Sequence, residues 1–359
     1  MQTKLTRAWV EIDLGALRRN AAAMAARGGR LLPMIKADAY GLGAIAAARV
    51  LEKLDPWGYG VATVAEGVEL RASGIERPIL IATPLIAEDL PEACRARLTP
   101  SLGRPEEIAL WRSIGGGAWQ LSIDTGMSRA GIRWDEVDSV RELAASFPPE
   151  GAFTHFHSAA WDGASVLLQR QRFEEAIARL PLRPRLLHAE NSAALERVVS
   201  TDWDLVRPGV FLYGVGSGSG TLVAPEPVAH VRARVVDLRV ARPGETVSYD
   251  ATYTITGGDR RIATLAIGYA DGYRRSLSGR GTVLIGGALA PVAGRVTMDM
   301  TMVDVTDIDC RVGDVATLIG RDGAQLLDMV SVAERAGLSP YELLTGLRGR
   351  LARIYLEDG

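Results

Sequence analysis

Lysine is nearly missing from this 359-residue chain. Lys4, Lys36 and Lys53 are its only lysines, although it carries 41 basic residues in all. Arginine supplies the rest, so any lysine with a task is easy to single out. Cysteine is scarce as well: Cys94 and Cys310 exclude a disulfide framework and leave no zinc-binding spacing. There are only four histidines. No apolar run approaches the ~18 residues of a membrane-crossing helix. The opening "MQTKLTRAWVEIDL" lacks the apolar stretch of a signal peptide, so a soluble, cytoplasmic protein is expected. Strong charge of one sign is absent too. A formal net charge of −2 gives no reason to expect nucleic acid or an anionic membrane as partner.

What is present is an ordinary globular composition, 47% hydrophobic and 23% charged, on a chain long enough for two domains. Short apolar runs alternate with amphipathic segments rich in Ala, Leu, Glu and Arg. The runs are 31–36 "LLPMIK", 57–62 "WGYGVA", 78–83 "PILIAT", 97–102 "RLTPSL", 119–124 "WQLSID", 152–157 "AFTHFH", 185–190 "RLLHAE" and 205–212 "LVRPGVFL". Eight strand–helix units predict an α/β fold, a (β/α)8 TIM-type barrel over residues 12–224. The alternative is an open doubly wound sheet. Eight units suit closure, and no GxGxxG turn follows the first strand. After "GVGSGSGT", 214–221, the pattern changes to short strands with Gly and Pro turns. Residues 225–359 therefore predict a mainly-β C-terminal domain with a helical end at "DMVSVAERAG" and "SPYELLTGL", joined by residues 1–11.

In such a barrel, chemistry sits where strands pass into loops. The polar residues there are Lys36 after the first strand, Asp124 and Arg129 after the fifth, and His155 and His157 at the end of the sixth. His188, Asn191 and Ser192 follow the seventh, and Arg207, Gly209 and Val210 the eighth. Lys36 can be a nucleophile or a base, because burial lowers a lysine pKa. It can also extend its ammonium to water on a buried stem. "NSAAL", 191–195, is a helix-start signal that can cap or bind an anion. Glycine amides in "RPGVFLYG", 207–214, allow close anion approach. A lysine with phosphate donors on one rim is what pyridoxal phosphate would need. His155 and His157 share a strand face and could pair on a metal, but no third ligand stands at a convincing spacing.

The motifs "IKADAYGLG", "DTGMSRAGI", "THFHSA", "HAENSAAL", "VRPGVFLYG", "VSYDATY", "AIGYADGYRR", "GRVTMDMTMVDV" and "RIY" together resemble the alanine racemase family, in order, from about residue 7 to 355. That resemblance implies an isomerase of D-alanine biosynthesis for the cell wall, a cytoplasmic homodimer using pyridoxal 5'-phosphate. It implies that Lys36 anchors the cofactor covalently. Tyr40, Asn191, Ser192, Gly209, Val210 and Tyr355 would bind the cofactor, chiefly at its phosphate. Arg207 would meet its ring nitrogen, which an arginine leaves unprotonated, weakening the ring as an electron sink. Lys36 would be one racemisation base and Tyr249, from a second subunit, the other, helped by His155. A tyrosine with an ordinary pKa of ~10 is a poor base unless its phenolate is stabilised. Arg129 would hold the cofactor and the substrate carboxylate. Met298 would complete the carboxylate pocket, and Tyr269, Arg275 and Arg295 would line the access corridor.

Three departures stand out. Ser122 occupies the position of a lysine that is often carbamylated in the family, so a bound anion, a water or Asp124 is expected to offset Arg129. "HSAAWD" replaces an acidic corridor motif, unless Asp162 takes that part. Thr297 stands where cysteine is common. These leave open a broader racemase acting on serine or basic amino acids. A non-enzymatic pyridoxal phosphate carrier, a metal-dependent hydrolase and a barrel decarboxylase are further alternatives, and Arg207 argues against the last.

Overall fold

The computed structural model describes residues 7–357. Eight short strands make its first part: Arg30–Leu31, Tyr59–Val61, Ile79–Ile81, Thr99–Leu102, Gln120–Asp124, Gly151–Phe153, Leu186–His188 and Leu205–Val206. From Tyr59–Val61 to Leu186–His188 each pairs in parallel with the next. Leu205–Val206 pairs in parallel with Arg30–Leu31. Parallel bridges Met34–Gly60 and Asn191–Arg207 span the two remaining gaps. The ring closes, so the chain forms a (β/α)8 barrel and not an open sheet. Most of these strands are buried along their whole length, as expected when helices cover the outside of a parallel barrel.

Two strands end earlier than the apolar runs suggest. The first strand covers only Arg30–Leu31, although Leu32 and Met34 beyond it still donate to the Val206 and Pro208 carbonyls. Lys36 consequently lies beyond the strand, at the start of a separate turn. The eighth stops at Val206, just before Arg207-Pro208-Gly209, and Val210–Tyr213 is a short 3-10 turn.

The covering helices start on local capping signals. Asp13 accepts from the Ala16 amide at 2.8 Å before Leu14–Ala25. Thr63 and Glu66 form a reciprocal capping box on Val64–Ala72. Asp162 caps Gly163–Arg179 by accepting from Ala164 and Ser165. That helix buries Gln169, Phe173, Ala176 and Ile177, one stripe at helical spacing.

The rest is mainly β. The 13-residue strand Ala229–Ala241 is its spine. It pairs antiparallel with Ala8–Asp13, Arg260–Leu265 and Val315–Asp322. Ala8–Asp13 also pairs in parallel with Ala352–Leu356, so the first and last described strands lie side by side. Residues 1–6, expected to accompany this sheet, lie outside the described residues. Helices Met329–Ala336 and Pro340–Thr345 stand where the helical end was expected. One apolar core runs from barrel residues such as Tyr59 and Trp119 to sheet residues such as Val231 and Leu318. Most tryptophans are packing residues, but Trp161 is 80% exposed. Among the described residues no helix is long and apolar enough to cross a membrane.

Candidate active site

Lys36 opens a turn with an unusual backbone. Ala37, Asp38, Ala39 and Tyr40 all adopt left-handed helical angles, with φ between 52° and 56°. For L-residues that conformation costs about 1–2 kcal/mol each, so the surroundings must hold it. The turn directs both Lys36 and Tyr40 into a cavity of about 440 Å³ at the C-terminal rim of the barrel. His155, Arg129, Asn191, Ser192, Arg207, Gly209 and Val210 also line it. Candidates from the first, fifth, sixth, seventh and eighth strands therefore meet in one place.

Arg207 is fixed more tightly than any other group there. It is 4% exposed. Its Nη1 donates to His188 Nδ1 at 2.8 Å, and its Nη2 to the carbonyls of Thr154 and Ala189 at 2.6 and 2.9 Å. Because His188 Nδ1 accepts, its proton sits on Nε2, which donates to Gln120 Oε1 at 2.6 Å. The Phe153 ring stacks on His188 and lies under the guanidinium. Burial pushes Arg207 down to about 9, which leaves it protonated at neutral pH. Gln120 and His188 thus orient a fixed cation from behind. His188 stood in the rim pattern, but its link to Gln120, 68 residues away, had no local signal.

The other end of the cavity is a cradle of small groups. Ser192 Oγ accepts from the Gly209 amide at 2.8 Å. Asn191 caps the short helix Ser192–Leu195 and donates to the Phe156 carbonyl at 3.2 Å. A Cβ on Gly209 would fall 2.6 Å from the Tyr40 hydroxyl, so only glycine leaves this space open. The Tyr40 ring packs on Tyr213 at 4.7 Å, and Tyr213 donates to the Met34 carbonyl.

The cavity is electropositive. Burial, and then Arg129, lower the Lys36 pKa, while Glu66 raises it. Burial, followed by Arg207, Arg129 and Lys36, pushes His155 down to about 3, so its imidazole is neutral at physiological pH. Burial and Tyr341 raise Tyr40, which therefore stays a neutral phenol. Lys36, Arg129 and Arg207, with hydroxyls and a glycine amide opposite, suit an anionic, phosphate-bearing ligand of modest size.

Not every expected residue is here. Tyr355 is not in this cavity. Its hydroxyl lies where a Cβ on Gly43 would collide with it, and it lines a different cavity with Ile45, Arg49 and Lys53. The C-terminal tyrosine at the site is Tyr341, whose ring is 6.5 Å from that of Tyr40. The capping box of Ser339 and Glu342 sets its helix start. "SPYELLTGL" therefore carried a helix signal, but only packing on the left-handed turn brings its tyrosine in. Tyr249, Tyr269 and Met298 do not line the cavity of their own chain either. They are exposed on the β part, at 69%, 38% and 53%. Tyr269 and Ala270 donate to the carbonyls of Thr297 and Met298, and Ser248 to that of Arg295, so the group shares one surface.

Asp124 and Asp162 have structural tasks. Asp124 Oδ1 accepts from the amides of Gly126, Met127 and Ser128 and so shapes the turn before Arg129. Among the described residues it forms no ion pair with Arg129. Asp162 is the helix cap described above, not a corridor acid. Ser122 faces an adjoining cavity of about 340 Å³ with Ser101, Gly103 and Glu107. Thr297 Oγ1 donates to the Met300 carbonyl at 2.9 Å and so closes its own turn. His157 is exposed and bonds Ser158 at 2.6 Å. No group of three or more potential metal ligands occurs among the described residues.

Two family models match the chain: "Alanine racemase, N-terminal domain" over residues 12–217 and "Alanine racemase, C-terminal domain" over residues 228–355. The alanine racemase of Halothermothrix orenii is 36% identical over 376 residues, spanning 99% of this chain and 98% of the relative. The solved alanine racemase of Streptomyces lavendulae superposes with a TM-score of 0.91 at 32% identity, covering 99% of this chain and 98% of that one. That of Bartonella henselae, solved with covalently bound pyridoxal phosphate, superposes at 0.88 and 28% identity over 98% of this chain and all of the other.

Proposed function

Because the chain belongs to the alanine racemase family, we propose that it interconverts L- and D-alanine using pyridoxal 5'-phosphate held in the Lys36–Arg207 cavity. The observation that carries this reading is the convergence of a depressed lysine, a buried arginine and a glycine-floored cradle on one cavity. When bound, the cofactor supplies the conjugated system that draws electrons from the substrate Cα and acidifies its hydrogen. Family members use this chemistry to supply D-alanine for peptidoglycan, and the chain is read as a cytoplasmic enzyme of that kind.

The remaining work falls to the chain's own side chains. Lys36 joins the cofactor and later moves a proton at one face of Cα. Its lowered pKa raises the fraction of free amine at neutral pH, as both tasks require. Tyr40, Tyr341, Ser192 and the amides of Gly209 and Val210 hold the phosphate, with Asn191 bracing the Ser192 helix. Tyr341 takes the part first expected of Tyr355. Arg129 holds the substrate carboxylate. His155, neutral and set among cations, can accept a hydrogen bond without adding charge.

The opposite face needs a second base. The chain's own Tyr249 does not line its cavity and is exposed, as are Tyr269 and Met298. The reading is therefore a homodimer in which the partner subunit's Tyr249 completes each site.

Optical rotation of L-alanine supplied with cofactor-saturated protein should decay to zero; rotation that persists overturns the reading. Two substitutions probe its parts. Gly209→Ala puts a methyl against Tyr40 and should weaken cofactor binding by about tenfold or more, the scale of an overpacked site, as read by spectral titration. Arg207→Glu offers the ring nitrogen an acid in place of a cation. Racemisation should fall on the order of 10²-fold while pyruvate formation from alanine rises. Pyruvate at the unsubstituted level would remove Arg207 from that part.

A further inference from the structure

Residues 37–40 are the longest run of left-handed non-glycine residues among those described. The run links the two ends of the cavity, with Lys36 at its start and Tyr40 at its close. Something must hold it, and the two ends are held differently.

At the C-terminal end, Asp38 Oδ1 accepts from the Ala44 amide at 2.8 Å, and Arg353 donates twice to the Gly41 carbonyl at 2.9 and 2.7 Å. At the N-terminal end the side-chain bond comes from Glu66. Its Oε1 accepts from the Ala37 amide at 2.7 Å. Its Oε2 accepts from the amides of Ala62 at 2.7 Å and Thr63 at 3.2 Å. One carboxylate therefore ties the residue after Lys36 to the end of the second barrel strand. We propose that Glu66 is a positioning residue for the cofactor site, holding the left-handed turn so that Lys36 and Tyr40 face the cavity together. This rests on the cavity being a pyridoxal phosphate site.

The chemistry calls for a carboxylate. Three N–H donors converge, and an ionised carboxylate offers acceptors only, on two oxygens. Glutamine has one acceptor oxygen, and its NH2 would face an amide hydrogen. Glu66 is also the third residue of its helix, where the helix dipole favours negative charge. The helix thus supplies a rigid post, and the turn is hung from it. The capping box explains only the bond from the Thr63 amide to Oε2. It does not explain the bond to Ala37, which leaves the helix altogether.

Glu66 has an electrostatic consequence as well. Its charge raises the Lys36 pKa, against burial and Arg129. The other groups around Lys36 are His155, neutral, across the cavity, and the neutral phenols Tyr40 and Tyr341. Arg207 faces the cavity from the eighth strand, and Asp38 in the turn itself is tied to Ala44. Glu342, also at the cavity rim, accepts from the Ser339 amide.

The test titrates cofactor-free full-length protein with pyridoxal 5'-phosphate and follows the visible absorption of the lysine-bound cofactor across pH. In Glu66→Gln the dissociation constant should rise about tenfold or more, the scale of a misplaced binding group. The midpoint pH for cofactor capture should move down, because the free amine forms more easily once the anion is gone. Thr63→Ala removes the capping hydroxyl, which accepts from the Glu66 amide, and leaves the carboxylate. It should lower Tm without changing either quantity. Should Glu66→Gln fail to fold, Glu66→Asp keeps the charge but is too short to span from Ala62 to Ala37. Binding should then weaken with the midpoint pH near that of the unsubstituted protein. Cofactor affinity unchanged in whichever of these folds overturns the proposal. If the unsubstituted protein captures no cofactor, the cofactor reading itself fails and this proposal falls with it. Normal capture with unaffected variants removes Glu66 alone.

Discussion

Lys36→Ala should lose nearly all alanine racemisation. One base contributes about 10²–10⁴-fold, some 3–5 kcal/mol of barrier, and this lysine also anchors the cofactor. No neighbour can replace it. Lys4 and Lys53 are the only other lysines; Lys53 does not line the cavity, and Lys4 lies outside the described residues. Arg129 and Arg207 are arginines and cannot act as bases at neutral pH. The visible absorption of the lysine-bound cofactor should vanish, while phosphate contacts through Tyr40, Ser192 and Gly209 still allow weaker, noncovalent retention. Full racemisation by the alanine variant would sink the assignment of Lys36. Substrate exchange in deuterium oxide separates base from anchor. Residual exchange of the Cα hydrogen should survive for one enantiomer only, the one whose hydrogen faces the remaining base.

Tyr249→Phe should cost a similar factor, again about 10²–10⁴, through the loss of one base. Exchange in deuterium oxide should survive for the opposite enantiomer. The telling experiment mixes the two inactive chains. If each site combines Lys36 of one subunit with Tyr249 of the other, a mixed dimer holds one site with both bases and one with neither. After random reassortment roughly a quarter of the sites should be active, as twofold symmetry dictates. Activity that never returns on mixing, with mixed dimers verified, would mean that the two groups do not share a site across subunits. The exposure of Tyr249, which does not line its own cavity, is what makes this outcome expected.

Both predictions use residues legible in the sequence, and the reasons for that legibility differ. Lys36 was visible because it follows an apolar run in a chain with almost no other lysine. Ser192 and Asn191 were visible because helix starts use few residue types. Arg207 was visible as one of the polar residues on the barrel rim, and its part at the ring nitrogen came from the resemblance. Tyr249 was legible by resemblance alone; nothing in its local pattern separates it from an ordinary sheet-surface side chain.

Other features were misread for stated physical causes. Tyr355 and Tyr341 are both tyrosines in a short C-terminal segment, and spacing does not say which returns to the barrel. Packing of the Pro340–Thr345 helix on the left-handed turn decides it. Asp162 looked like a corridor acid because it follows "HSAAW", but a helix begins at the next residue and its amides claim the carboxylate. Asp124 is claimed in the same way by the turn it precedes.

The sequence by itself determined the barrel and the kind of chemistry. Alternation of apolar runs and amphipathic segments is a local property, and eight such units have one compact way to bury both faces of every strand. Residue type likewise dictates what a lysine or an arginine can do. Tertiary structure alone decided which groups meet and in what state. The left-handed turn runs against local preference and exists because Glu66 and Arg353 hold it, the latter from 312 residues away. The Arg207–His188–Gln120 chain and the depressed pKa values of Lys36 and His155 arise only when closure of the ring takes those groups out of water together. Desolvation and cross-barrel hydrogen bonds depend on neighbours in space, which no run of consecutive residues encodes.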